Sequence, residues 1–303
     1  MRMRKTAAAG AVALALAATA TACGGESGSA GDKSVAGSVY SHDYTPAKNV
    51  KLDSRALRDA QKRGKIIIGV KADQPFLGYQ DPSTKKYSGF DIEIAKMVAA
   101  DLGFSTKQIQ FETVNSNVRE TKISNHDVDF YVGTYTINNE RKKQVGFAGP
   151  YYTAGADLLV RKDDKKITGP DALKGRKVCS ITGSTPLQEI KKPKYGADTQ
   201  ELDKYSDCVE KLLNGQVDAL TTDDAILKGY AAQRPSKLRV VGKPFTKEPY
   251  GVGMDKNDKA LREAITKALE HHIDNKDYEK AYEGTLGKSG SAFVKPQTPL
   301  PTY

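Results

Sequence analysis

The stretch SNHDVDFYVGTYT, residues Ser124–Thr136, decides the fold because it recurs in altered form as LNGQVDALTTDD, Leu213–Asp224. Each copy runs from a helix end through a turn to a Val-Asp pair, a short apolar strand and a polar, Thr-rich exit. A second echo precedes it in each half: KIIIGVKADQPF from Lys65 is repeated as RKVCSITGSTP from Arg176. Two similar units of this kind predict two lobes.

Around these repeats, strands and helices alternate. SRALRDAQKRGK reads as a helix with Ser54 as cap and Gly64 as stop, and KIIIGV as a buried strand. GFDIEIAKMVAADLGF reads as an amphipathic helix with Ile94, Met97, Val98 and Leu102 on one side; IQFETV is a strand, NVRETKIS a helix, VDFYVG a strand. This is the α/β pattern of a mostly parallel sheet. Chain crossings between the lobes are expected at PYYTAGADL (Pro150–Leu158) and PFTKEPYGVGM (Pro244–Met254), after which DKALREAITKALEHHI returns to the first lobe. The expected division is a first lobe of residues 52–152 and 252–287, a second lobe of 153–251, and a Pro-rich, disordered tail over 288–303.

The N-terminus has another character. Residues 1–22 carry three cations and then an Ala-rich run too short and too weakly apolar for a membrane span, which reads as a secretory signal. Small residues stand directly before Cys23, and residues 23–51 read as a flexible linker. The arrangement resembles a bacterial lipoprotein signal, which implies acylation of Cys23 and a membrane anchor of two lipid chains; an ordinary signal peptide ending near a cysteine is the alternative. With Cys23 lipidated, Cys179 and Cys208 remain, either as a disulfide in an oxidising compartment or as two buried thiols.

The formal charge of +10 falls to +7 once Arg2, Arg4 and Lys5 leave with the signal. Lysines are interspersed with Asp and Glu without a clustered basic and aromatic stripe, which argues against nucleic acid as a partner. No catalytic constellation stands out. His42, His126, His271 and His272 lie in a linker, a turn and a late helix, and no metal-ligand spacing or Ser-His-Asp arrangement is visible. No cofactor or metal is expected, and the GKS within LGKSG lacks the first Gly of a phosphate loop.

In open α/β sheets ligands sit beyond the C-terminal strand ends. Four exits qualify: Lys71–Phe76, Thr134–Arg141, Thr182–Thr185 and Thr221–Asp224. Arg141 offers a planar fork for a carboxylate, although it follows a helix start, where a cation is poorly placed. Ser184 or Thr185 opens a helix whose free N–H groups suit an anion. Asp223 can accept an ammonium, with the oxygens of Thr134 and Thr136 beside it. Carboxylate plus ammonium suggests an α-amino acid. Each residue also has an ordinary alternative: Arg141 as a solvated surface cation, and Ser184 and Asp223 as caps of their own helices.

GFDIEIAKMVAADL (Gly89–Leu102) resembles the signature of the bacterial extracellular solute-binding proteins of family 3, the receptors of polar amino-acid ABC transporters. INNERKKQVGFAGPYY, DALKGRKV, TGSTP, VDALTTDDAIL and PYGVGM follow in order, so the resemblance covers about Lys65–Gly287. Within the family, CSITGSTP, YSDCVE and VDALTTD are similar to segments of GluB-type glutamate-binding lipoproteins. The resemblance implies a two-lobed, type II periplasmic-binding-protein-like clamshell that closes on one amino acid and presents it to the permease subunits. By the family's pattern, Arg141 takes the α-carboxylate with Thr136 and Thr185, Asp223 takes the α-ammonium, and Cys179 pairs with Cys208. Arg119 would meet a side-chain carboxylate, with Lys71 a second candidate and Tyr205 a third; the alternative for Arg119 is an ion pair with Glu120. The expected ligand is L-glutamate, since a cation in excess of the α-carboxylate argues for an acidic side chain. A receptor for aspartate, glutamine or several polar amino acids is the nearest rival. A dehydratase-like enzyme on the same fold, with Asp224 or Glu140 as acid or base, is the rival of another class.

Overall fold

Ser54 starts the first helix of the chain by accepting the Leu57 N–H at 3.1 Å, and Gly64 ends it at φ 71°, a left-handed conformation that glycine adopts without strain. This helix, α1 (Arg55–Arg63), is the first regular element in the computed structural model, which describes residues 40–303. The segment 1–22, Cys23 and the linker as far as residue 39 lie outside the described residues.

The chain continues through β1 (Ile66–Val70), the short strands β2 (Asp73–Gln74), β3 (Gly78–Gln80) and β4 (Tyr87–Ser88), and helix α2 (Phe90–Asp101). Next come β5 (Ile109–Thr113), α3 (Arg119–Ser124), β6 (Phe130–Val132), the one-turn α4 (Asn139–Lys142) and the long strand β7 (Val145–Ala154). The second series is β8 (Ala156–Arg161), β9 (Lys177–Ile181), α5 (Thr185–Ile190), β10 (Asp198–Leu202), α6 (Tyr205–Leu213), β11 (Ala219–Asp223), α7 (Asp224–Gln233) and β12 (Leu238–Val240). Finally β13 (Glu248–Asp255) leads to α8 (Lys259–Asp274) and α9 (Asp277–Gly284).

Two five-stranded sheets result, ordered β5-β1-β6-β13-β7 and β10-β9-β11-β8-β12. In each, three parallel strands are followed by two antiparallel neighbours. The repeated sequences occupy equivalent places: β1 and β9 are second in their sheets, β6 and β11 third. The Asp of each Val-Asp pair does the same work in both. Asp129 Oδ2 accepts the Ile67 N–H at 2.7 Å, and Asp218 Oδ2 accepts the Lys177 N–H at 2.9 Å. Each carboxylate thus fixes the start of the neighbouring parallel strand, which explains why the pair recurs. Architecture is that of a two-lobed clamshell, with the antiparallel β7–β13 pair spanning from one lobe to the other.

Three expectations need correction. α2 is not amphipathic: Phe90 through Ala100 are all buried, including Asp91, Glu93 and Lys96. The polar side is covered by His42 and Tyr44, from the expected linker. Lys96 Nζ lies 2.7 Å from Glu93 Oε1, and Tyr44 Oη and the His42 N–H donate to the other Glu93 oxygen at 3.1 and 3.2 Å. The end of the expected linker, from Tyr40, therefore packs on the first lobe, because a buried ion pair needs further polar partners. The expected disordered tail also packs: Leu300 is buried, its N–H donates to Glu270 Oε1 at 2.7 Å, and Phe293 meets the Tyr282 ring edge-on. Tyr282 supplies the apolar face and donates its hydroxyl to the Ala292 carbonyl at 2.8 Å.

Cys179 in β9 and Cys208 in α6 form a disulfide with Cα atoms 5.6 Å apart. It fastens the α6 N-terminal turn, where Tyr205 sits, to the sheet of the second lobe.

Candidate functional site

Gly183 brings the lobes together. Its φ of 82° turns the chain sharply after β9, and a Cβ there would lie 2.8 Å from the Ser116 carbonyl oxygen. The backbone of the second lobe can approach the first only because this side chain is missing. The Gly183 carbonyl then accepts Arg119 Nη2 at 3.2 Å and Arg141 Nη2 at 2.9 Å.

Arg141 is held by α4. Asn138 caps that turn, accepting the Arg141 N–H at 2.9 Å, and the guanidinium folds back so that Nη1 donates to the Thr136 carbonyl at 2.7 Å. Arg141 is buried, not the surface cation that its position at a helix start suggested. Burial, with Arg119 nearby, lowers its pKa to about 10. The Tyr135 ring lies beneath both guanidiniums, 4.1 Å from Arg119 Cζ and 5.0 Å from Arg141 Cζ. Glu120 Oε1 stands 3.6 Å from Arg119 Nε and 3.4 Å from Arg141 Nε, and accepts the Tyr135 hydroxyl at 2.9 Å. The Arg119–Glu120 contact foreseen as an alternative is therefore present, but at a buried Arg119 and shared with Arg141.

The other exits meet these residues. Thr185 Oγ1 is 3.3 Å from Thr136 Oγ1 across the lobes and donates to Glu248 Oε2 at 2.6 Å. Thr134, at φ 44°, donates its N–H to the buried Asp91 at 3.0 Å, while its hydroxyl accepts from Gln74 Nε2 at 3.1 Å. Ser184 follows its structural alternative: its Oγ accepts the Leu187 N–H at 3.2 Å and donates to the Ile181 carbonyl at 2.8 Å, capping α5. Asp223 does not follow its own. It stands at the N-cap position of α7, but its carboxylate makes no capping bond and instead accepts Tyr250 Oη at 2.7 Å. Burial first, then the nearby Glu248, hold the Asp223 carboxyl well above the usual carboxylate range. An ammonium placed between these two acids would relieve both effects.

Lys71 leaves β1 into the same region. It is buried, with Nζ 5.9 Å from the centre of the Tyr205 ring, and burial lowers its pKa to about 8 despite the opposing pull of Asp73. Asp73 also accepts the Tyr205 N–H at 2.7 Å, so β2 is tied to the start of α6 across the lobes. Among the described residues six buried side-chain polar atoms lack a hydrogen-bond partner, and three of them are Lys71 Nζ, Arg119 Nε and Asp223 Oδ1. An orphaned buried polar atom costs about 1–3 kcal/mol, more when charged. Arg119 Nε has only the longer 3.6 Å approach of Glu120 Oε1, which is an ion pair and not a hydrogen bond.

Sequence reasoning missed Glu248 and Tyr135, and it gave Glu120 only as a partner of Arg119, not of Arg141. Glu248 lies in PFTKEPYGVGM, whose crossing role was legible while its acid was not. Glu120 and Tyr135 adjoin expected site residues, but only the packing shows that one carboxylate and one ring serve two arginines. The expectation of a simple excess of cations changes accordingly, since Glu120 offsets part of the guanidinium charge.

The profile of Bacterial extracellular solute-binding proteins, family 3, matches residues 66–288. The chain is 42% identical over 250 residues to the glutamate-binding protein GluB of Corynebacterium efficiens, covering 79% of this chain and 84% of that protein. It is 37% identical to the ABC transporter glutamine-binding protein GlnH of Bacillus subtilis, covering 82% and 90% respectively. Among solved structures it is similar to an ancestral arginine-binding protein bound to glutamine, with a TM-score of 0.69 and 35% identity over 74% of this chain and 99% of that one. The structure of the solute receptors for L-cysteine of Neisseria gonorrhoeae superposes with a TM-score of 0.74 at 27% identity, covering 80% and 97%. With its repeated lobes, its exits gathered at one cleft and this match over most of its length, the chain belongs to the bacterial extracellular solute-binding proteins, family 3.

Proposed function

We propose that the chain is the extracytoplasmic substrate-binding lipoprotein of an ABC importer that binds L-glutamate between its lobes and delivers it to the permease. The observation that carries this reading is the set of orphaned buried atoms, Lys71 Nζ and Arg119 Nε against Asp223 Oδ1. In it, Arg141, Thr136 and Thr185 bind the α-carboxylate, Asp223 with Glu248 and Thr134 binds the α-ammonium, and Arg119 and Lys71 face the side-chain carboxylate beside Tyr205. Ser184 contributes by shaping the α5 turn. Closure is favoured by contacts that exist only when the lobes meet, among them Gly183 to both arginines and Thr136 to Thr185. The names of the GluB and GlnH relatives support an amino acid as cargo. Residues 1–22 as signal, Cys23 as the lipid-bearing residue, and lobes of 52–152 with 252–287 and of 153–251 complete the proposal.

One observation favours a second ligand. Glu120 stands between Arg119 and Arg141 and reduces their pull on a second carboxylate, so glutamine is the alternative. The enzyme reading gains nothing from its two candidate residues: Asp224 is held by Lys228 Nζ at 2.6 Å and Glu140 pairs with Lys143 at 2.8 Å on the surface. Thermal unfolding with millimolar Glu, Asp, Gln, Asn and Arg separates the ligand readings. A ligand at about 1,000 times its Kd stabilises by about 4 kcal/mol, so glutamate should raise Tm most; no rise with any of them refutes the proposal.

A further inference from the structure

Away from the cleft, the end of α2 meets the last turn of α8. Asp101 closes α2, and its two carboxylate oxygens face two successive histidines. His271 Nδ1 lies 2.8 Å from Asp101 Oδ2, and His272 Nε2 lies 3.4 Å from Asp101 Oδ1. The three ligand atoms fall within 4.8 Å of one another.

The decisive atom is His272 Nε2. His272 is 4% exposed, and this nitrogen is one of the buried polar atoms without a hydrogen-bond partner, with Asp101 Oδ1 at ion-pair distance, 3.4 Å away. The ring's other nitrogen is fully used: His272 Nδ1 is 3.0 Å from Asp277 Oδ2, and Asp277 is itself held by Asn275 Nδ2 at 2.9 Å. A carboxylate on Nδ1 orients the ring and leaves Nε2 as the nitrogen that a metal can take in place of a proton, as in metal-binding imidazoles. The Tyr44 ring packs edge-on against His272 at 5.3 Å and closes the inner side. His271, with its side chain 57% exposed, leaves the outer side open to solvent.

We propose that Asp101, His271 and His272 form a binding site for a borderline divalent transition-metal ion, zinc in the first instance, that ties α2 to α8. Two imidazole nitrogens and one carboxylate oxygen suit zinc and not calcium or magnesium, which take oxygen ligands. Ligand atoms about 2.0–2.2 Å from one zinc ion lie roughly 3.3 Å apart, so modest side-chain rotation brings the set to that spacing. A water molecule would complete the coordination.

The test is calorimetric titration of the chelator-treated full chain with zinc chloride, repeated with His271→Ala, Asp101→Asn and Asp277→Asn. The expected result is one saturable zinc per chain. Binding should weaken at least tenfold in His271→Ala and in Asp101→Asn, and roughly 10–100-fold in Asp277→Asn, which acts only by orienting His272. His271 is on the surface, so its variant should fold even if changes at the buried His272 do not. His126→Ala, a histidine elsewhere on the lobe, should leave the zinc titration unchanged. Cobalt should give the visible absorption of a low-coordinate site in the wild type and lose it in His271→Ala. Absence of saturable zinc, or equal zinc affinity in wild type and His271→Ala, overturns the proposal.

Discussion

Arg119 and Arg141, 22 positions apart in the first lobe, donate to a single acceptor in the second, the Gly183 carbonyl, at 3.2 and 2.9 Å. A neutral carbonyl accepts these hydrogen bonds without compensating two buried guanidinium charges. Glu120 offsets one of them at 3.4–3.6 Å, and in the proposed function the remaining charge is what draws an anion between the lobes.

Replacing Arg141 by Ala should remove the partner of the α-carboxylate. Losing one member of a buried ion pair costs about 3–5 kcal/mol, so glutamate affinity should fall by more than a hundredfold in calorimetry while the far-UV circular dichroism stays unchanged. Affinity within threefold of wild type would exclude Arg141 from the site.

Selectivity should follow the Arg119–Glu120 balance. Arg119→Ala should weaken glutamate far more than glutamine. Glu120→Gln should act in the opposite sense, raising the ratio of glutamate to glutamine affinity by releasing guanidinium charge. Competition titrations of both variants read this ratio directly, and parallel changes for the two ligands would show that neither residue faces the side chain.

Lys71 predicts a pH dependence. Its pKa of about 8 in the folded protein is below the ordinary lysine value of 10.5, so the charged form is penalised by burial. For stability, the unfolded chain binds the extra proton between about pH 8 and 10.5, so this group's contribution to stability rises with pH across that window. For binding the sign reverses: a ligand carboxylate beside Nζ favours the protonated amine, so glutamate affinity should fall as pH rises through 8, with proton uptake on binding above it. Lys71→Met should flatten that limb of the profile in titrations from pH 7 to 10.

Removing the disulfide by a Cys179→Ser, Cys208→Ser double change should cost roughly 3–4 kcal/mol, the chain-entropy value for a loop of 29 residues. Because the bridge also fastens the start of α6, Asp73 and Tyr205 should lose order with it. Urea unfolding under non-reducing conditions measures the loss; an unchanged midpoint would mean that the bridge adds nothing to stability.

Much of this architecture was legible because the chain repeats itself. Asp129 and Asp218 anchor equivalent strands, and Ser54, Gly64 and Asn138 mark helix ends by local chemistry that a short window contains. What stayed hidden depends on partners far away in the chain. α2 looked amphipathic because its charged face is covered by the arm around His42 and Tyr44, about 50 residues earlier. The tail looked disordered because the Tyr278 and Tyr282 surface that receives Phe293 exists only after folding. Arg141, Thr136, Thr185, Asp223 and Lys71 were identifiable as a set of strand exits and Arg119 through the family resemblance, whereas Glu248 and the sharing of Glu120 arise from packing across the cleft. The grouping of Asp101 with His271 and His272 spans 170 positions and carries no spacing motif.

The most direct measurement is calorimetric titration of the purified wild-type protein with L-glutamate and L-glutamine side by side at pH 7. One glutamate should bind per chain, at least tenfold more tightly than glutamine. Tighter binding of glutamine, or no saturable heat with either, would contradict the proposed function.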